Sequence, residues 1–249
     1  MEHPFFQNGF LILGHRGVPG EAPENTLSSF RLAKMQGADG IELDIRQCKS
    51  GELIVIHDAR LNRTTSGRGF VRAKTLQQLK GLHITGADQQ ERIPTLEEVF
   101  REFIDEMILN VEIKGHPRKA DGVEQKLIAL IRRYNAVDRV IVSSFNPIPL
   151  RRIRKLAPEI ATAFLVDRKF FVHRSEKAIV KLAGIHAIHL EAHLAAPPLV
   201  KRLREMGLHV LLWGEFPFER IPELRTMPLD GIITDYPKQV RQILEGLQP

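Results

Sequence analysis

The sequence has one cysteine, Cys48, in 249 residues, so it holds no internal disulfide and no thiolate cluster around a metal. It has no apolar run of about 18 residues, which excludes a membrane-spanning helix. No basic segment precedes the apolar stretch of the N-terminus, MEHPFFQNGFLILGHRG, and that stretch runs straight into polar residues. The expectation is therefore a chain without a signal peptide, located in the cytoplasm. RNA-binding fingerprints, zinc-finger spacings and helix-turn-helix patterns are also missing, so nucleic acid is not an expected partner. The net charge of +6 does not change this, because the 36 lysines and arginines are spread along the chain. Their one local cluster, Arg151, Arg152, Arg154 and Lys155, reads as a solvated helix face.

What the sequence does have is alternation. Short apolar runs fall at 10–13, 40–45, 53–56, 107–113, 139–142, 160–165, 186–190, 209–213 and 231–234. They are rich in Ile, Val and Leu and alternate only weakly, the pattern of strands buried on both faces. Between them lie helical patterns at 26–36, 95–106, 123–134, 147–156, 197–206 and 237–247, three with proline near the start. This predicts an α/β fold, a (β/α)8 TIM barrel occupying residues 1–249 as a single domain. Nine runs are one too many for such a barrel. The four residues Cys48-Lys49-Ser50-Gly51 are too few for a parallel crossover, so 40–45 and 53–56 are expected to form an antiparallel hairpin after the second strand. A polar insertion around residues 60–95, with little strand character, is expected to cover the mouth of the site.

Polar residues gather at the C-terminal strand ends, where barrels of this kind carry their chemistry. The first strand ends in Gly14-His15-Arg16-Gly17, and the second places Glu42 and Asp44 two residues apart on one face. The third ends in His57-Asp58, and the fourth carries Glu112 and Lys114. A turn centred between Lys49 and Ser50 would set Glu42 opposite His57 and Asp44 opposite Val55, bringing Glu42, Asp44 and His57 to one side. Two carboxylates on one strand repel unless something positive lies between them. Salt bridges to Arg16 and Lys114 would serve, and so would a divalent cation. Three carboxylates without a thiol form a hard oxygen site suited to Mg²⁺ or Ca²⁺. Glu42, Asp44 and Glu112 sum to −3, a divalent ion leaves −1, and Arg16 with Lys114 brings +1, which a phosphodiester would neutralise. His15 and His57 have the unperturbed pKa for acid and base work near neutrality.

Together these residues resemble the glycerophosphodiester phosphodiesterase family. The matching pieces, in order, are His15-Arg16-Gly17, Pro23-Glu24-Asn25-Thr26, Gly40-Ile41-Glu42-Leu43-Asp44, His57-Asp58, Arg63-Thr64-Thr65, Pro94-Thr95-Leu96, Glu112-Ile113-Lys114, Ser143-Ser144-Phe145 and Gly231-Ile232-Ile233-Thr234-Asp235-Tyr236-Pro237. The resemblance is to the short cytoplasmic bacterial type. It implies metal-dependent hydrolysis of glycerophosphodiesters to glycerol 3-phosphate and an alcohol. Glu42, Asp44 and Glu112 would bind one divalent cation, Mg²⁺ or Ca²⁺. His15 and His57 would be the catalytic acid and base, and Arg16 and Lys114 would hold the phosphate. Trp213 would wall the glycerol or alcohol portion, and the role of Glu24 is left open.

The implied partner is a small-molecule diester, with no nucleic acid and no stable membrane insertion; a homo-oligomer is left open. Two alternatives stand beside this reading. One is lysophospholipase D-type cleavage in the same site, with Phe164, Phe170, Phe171, Phe216 and Phe218 supplying an apolar mouth. The other is a barrel that binds phosphodiesters without cleaving them. Two departures from the family pattern are the turn Lys49-Ser50-Gly51, where the family has Lys-Asp-Gly, and Gly214-Glu215-Phe216-Pro217-Phe218 after Trp213, where a threonine and an asparagine are usual. The second bears on substrate preference.

Overall fold

Eight buried strands, each too apolar to face water, are covered on one side by helices and on the other by each other in the computed structural model. The structure describes residues 3–115, 122–167, 184–215 and 217–246. The strands are β1 (Leu11–His15), β2 (Gly40–Gln47), β3 (Leu53–Val55), β4 (Ile108–Ile113), β5 (Val140–Ser144), β6 (Ala161–Val166), β7 (Ala187–Glu191), β8 (His209–Trp213) and β9 (Gly231–Thr234). The order runs β1-β9-β8-β7-β6-β5-β4-β2, and β1 pairs again with β2, which closes eight parallel strands into a barrel. β3 is the ninth strand, antiparallel to the part of β2 that projects beyond the rim. This is the (β/α)8 barrel with a hairpin that the alternation predicts.

The helices follow the same logic. Thr26 caps Leu27–Met35 by accepting from the Ser29 amide, and Thr95 forms a reciprocal capping box with Glu98 at the start of Leu96–Phe103. Pro147, Pro197 and Pro237 open their helices at the first position, where a missing amide hydrogen costs nothing. Helix Val123–Arg133 turns Val123, Leu127, Leu130 and Ile131 onto the sheet. The last helix ends at Leu244, short of the expected 247, which lies outside the described residues.

Inside the barrel, Leu11, Leu13, Ile108, Ile141, Leu211, Ile233 and small alanines pack over Phe5 and Phe6, which plug the N-terminal end. One level up, interior positions become polar, with Asn110, Ser143 and His189 fully buried. The site therefore stands on a filled core rather than over a pore.

Two details differ from expectation. The hairpin pairs Ile45 with Val55 and Gln47 with Leu53, one residue out from the expected register. The loop has three residues, not two: Cys48 and Glu52 face each other, and Gly51 closes the turn at φ +104°, a conformation glycine adopts without a Cβ penalty. Asp44 is thus opposite Ile56, whose amide donates to its carbonyl, and His57 reaches the site from just past the end of the ladder. The insertion is also less polar than expected. It contains a short helix, Leu76–Lys80, and folds Leu61, Val71, Leu79, Ile84 and Ile93 onto Cys48, Ile54 and Ile56 of the hairpin, a small apolar core of its own.

Candidate active site

Strand register brings the acidic side chains together. Asp44 lies directly across from Glu112 in the β2–β4 ladder, and Glu42 lies across from His15 in β1–β2. One carboxylate oxygen from each of Glu42, Asp44 and Glu112 falls within 4.8 Å of the others, and all three residues are buried. Both predicted cations are here. Lys114 Nζ is 2.7 Å from Glu112 Oε1 and 3.2 Å from Asp44 Oδ1, and Arg16 Nε is 3.2 Å from Asp44 Oδ2.

The loop after β1 is held in an unusual shape to do this. Arg16 and Asn25 have φ of +54° and +58°, left-handed values that non-glycine residues seldom adopt. Hydrogen bonds compensate. The Arg16 amide donates to the Glu42 carbonyl at 2.9 Å, and the Asn25 amide donates to the Arg16 carbonyl at 2.9 Å. Asn25 Nδ2 then donates to Asp44 Oδ2 at 2.8 Å. Strain of this kind concentrates where side chains must be aimed.

Each histidine is oriented by a carboxylate. His15 Nδ1 is 2.6 Å from Asp235 Oδ1, and its Nε2 points toward Glu42 Oε2 at 4.0 Å. His57 Nδ1 is 2.7 Å from Asp58 Oδ1. Asp58 is shared, because Arg63 donates to it from Nε at 2.8 Å while its other nitrogens hold Glu24 at 2.7 and 2.8 Å. Glu24, whose role the sequence left open, also accepts from Arg16 at 3.1 Å, so its carboxylate links Arg16 to Arg63.

These neighbours set the charges. Burial, then the Asp44 charge, pushes the Glu42 carboxyl up to about 7. Burial likewise pushes Glu112 up to about 8 against the pull of Lys114. Asp44 is buried too, yet Lys114 and Arg16 hold it below the usual carboxylate range. Burial opposes charge on His15, but Asp235 and Glu42 outweigh it and raise its pKa. Burial lowers His57, and the Asp44 and Asp58 contributions do not recover it.

A cation fits this arrangement. The donors are all carboxylate oxygens from three buried side chains, and Asp44 Oδ1 accepts no hydrogen bond.

Trp213 stands half-buried at the end of β8, donating from Nε1 to the His189 carbonyl at 3.1 Å. Its ring meets Phe145 edge-on at 5.5 Å, and Phe145 lies 5.6 Å from Lys114 Nζ, so one aromatic ring stands between Trp213 and Lys114. Of the aromatics considered for an apolar mouth, Phe164 is fully buried between sheet and helices and is not available to a ligand. Phe218 is half-buried beside Tyr236, and Phe170, Phe171 and Phe216 lie outside the described residues. Sequence reasoning passed over Asn25, Asp58, Arg63 and Asp235 as individual contributors. All four sit inside the quoted motifs, and only the folded chain shows what each one touches.

Residues 15–239 match the Glycerophosphoryl diester phosphodiesterase family. A glycerophosphodiester phosphodiesterase of Caldanaerobacter subterraneus subsp. tengcongensis is 36% identical over 233 residues, covering 92% of this chain and 95% of that protein. Among solved structures, a phosphodiesterase of Oleispira antarctica in complex with the product sn-glycerol-3-phosphate superposes with a TM-score of 0.84 at 28% identity, covering 97% of this chain and 99% of that one. The glycerophosphodiester phosphodiesterase of Agrobacterium tumefaciens superposes with a TM-score of 0.81 at 27% identity, covering 93% and 98%. With its barrel, its acidic triad and a family match along most of its length, this chain belongs to the glycerophosphoryl diester phosphodiesterase family.

Proposed function

We propose that this chain, as a single barrel domain, hydrolyses glycerophosphodiesters to glycerol 3-phosphate and an alcohol. The observation that carries the reading is the buried triad of Glu42, Asp44 and Glu112, flanked by Arg16 and Lys114 and faced by two carboxylate-oriented imidazoles. The Oleispira relative with its bound product supports the same chemistry. Glu42, Asp44 and Glu112 would hold one Mg²⁺ or Ca²⁺, which when bound supplies Lewis-acid stabilisation of charge on a phosphoryl oxygen. Arg16 and Lys114 orient the phosphate, and Trp213 flanks the glycerol or alcohol portion.

The two histidines divide the proton transfers. Burial lowers the pKa of His57 and the Asp44 and Asp58 contributions do not recover it, so His57 is the less basic ring, suited to take the proton from the attacking hydroxyl or water. His15 lies between Asp235 and Glu42, holds its proton more firmly, and gives it to the departing alcohol oxygen. A binding barrel would have no use for this pairing.

Release of glycerol 3-phosphate from purified protein, with and without chelator, tests the proposal. The expected result is release that a chelator abolishes and Mg²⁺ or Ca²⁺ restores. Release indifferent to chelator would remove the ion from the reading, and no release from any glycerophosphodiester would remove the activity.

A further inference from the structure

On the far side of His15 from the triad lies a cavity of about 570 Å³ whose lining includes Gly214, Glu215, Phe218, Glu219, Asp235 and Tyr236. Its size is that of a small-molecule site. Asp235 joins the two spaces: it lines the cavity, and its carboxylate holds His15, whose far nitrogen faces Glu42 at 4.0 Å. One imidazole ring separates the cavity from the triad.

The cavity and the triad differ in charge. Arg16 and Lys114 stand over the triad, whereas no lysine or arginine lines the cavity among the described residues; its lining carries the three carboxylates Glu215, Glu219 and Asp235 against the single imidazole of His193, which has Glu191 at 3.8 Å. Glu215 and Glu219 are exposed and exchange no hydrogen bond or ion pair with another described residue. Their charges are uncommitted. Phe218 and Tyr236 meet edge to face, centroids 5.6 Å apart and planes at 83°, so two aromatic faces form a corner, and Tyr236 is 43% exposed. Aromatic faces beside uncommitted carboxylates attract an organic cation.

We infer that this cavity receives the alcohol portion of the substrate and selects diesters whose alcohol carries an ammonium group over those whose alcohol is neutral or acidic. The inference rests on the phosphodiesterase reading above and deepens it. If His15 protonates the departing oxygen, the alcohol lies on the His15 side, and that is the side on which the cavity opens. A substrate with its phosphate on Arg16 and Lys114 and its ammonium by Glu215 and Glu219 aligns its own dipole with that of the site.

A single exposed ion pair or cation–aromatic contact is worth a factor of roughly two to five, so two of them together give about tenfold. The test compares kcat/KM for glycerophosphocholine, glycerophosphoethanolamine and glycerophosphoglycerol, read as glycerol 3-phosphate release. It uses the natural chain and a Glu215→Gln, Glu219→Gln double variant. The ratio of choline to glycerol diester is expected to be about ten and to fall several-fold in the variant and with added salt. Ratios cancel differences in the amount of folded enzyme. If all three diesters are hydrolysed at similar rates, or the ratio survives in the variant, the subsite is overturned and the phosphodiesterase reading stands. If none is hydrolysed, both fall.

Discussion

His15 and His57 carry the same ring at the ends of two strands, and only their neighbours separate them. Asp235 serves His15, whereas Asp58 is divided between His57 and Arg63. If His15 is the acid, its loss should matter most when the departing alcohol is a poor leaving group. His15→Ala should therefore lose about 10²–10⁴ in kcat against glycerophosphocholine and far less against a diester of p-nitrophenol, which leaves without a proton. His57→Ala should lose activity on both. Equal losses for His15→Ala on the two substrates would overturn the assignment. The different neighbours of the two rings were not legible in the sequence. Residue type and strand-end position pick out both histidines, but the sharing of Asp58 depends on Arg63, which reaches it from the insertion. Glu24 shows the same limit, since its two arginine partners lie 8 and 39 residues away.

At the scale of elements, the strands and long helices were readable because burial on both faces leaves a continuous apolar signature. The hairpin register was not, because a three-residue loop closed by Gly51 reads much like a two-residue turn. The short helix Leu76–Lys80 lacked enough turns to show a period. Gly40 is where an element and the site meet. A Cβ there would fall 2.2 Å from the Ile108 carbonyl oxygen, so β2 and β4 can approach only with glycine at this position. The same ladder, four residues on, pairs Asp44 with Glu112. Gly40→Ala should push the strands apart, at a cost of about 3 kcal/mol, and with them the triad oxygens. The measurements are a thermal melt and a calorimetric titration with Mg²⁺ or Ca²⁺. A variant that melts within a degree or two of the natural chain and binds the ion equally well would show that the contact is slack.

The whole molecule joins these in its response to pH. Glu42 and Glu112, raised to about 7 and 8, bind protons in the folded ion-free chain that the unfolded chain has already lost above its ordinary carboxylate range. The folded state therefore holds more protons, and stability falls as pH rises through 7 to 8. Burial lowers His186 and His189 to about 3, with Arg154 adding to the effect at His186. Here the unfolded chain binds protons first, so stability falls as pH drops from 6.5 toward 3. The two pairs oppose each other between the usual carboxylate range and 6.5, and an ion in the triad would end that balance by expelling the protons from Glu42 and Glu112. Stabilisation by Mg²⁺ or Ca²⁺ should thus be small at about pH 6, where both carboxyls must first deprotonate, and large at about pH 8.5. An ion at a hundred times its dissociation constant contributes about 2.7 kcal/mol, or a rise in Tm of roughly 5–10 °C for a chain of this size. Thermal unfolding at the two pH values, with the ion and with chelator, reads this directly. An equal rise at both, or one that persists in a Glu42→Gln, Glu112→Gln double variant, would place the stabilising ion somewhere other than the triad.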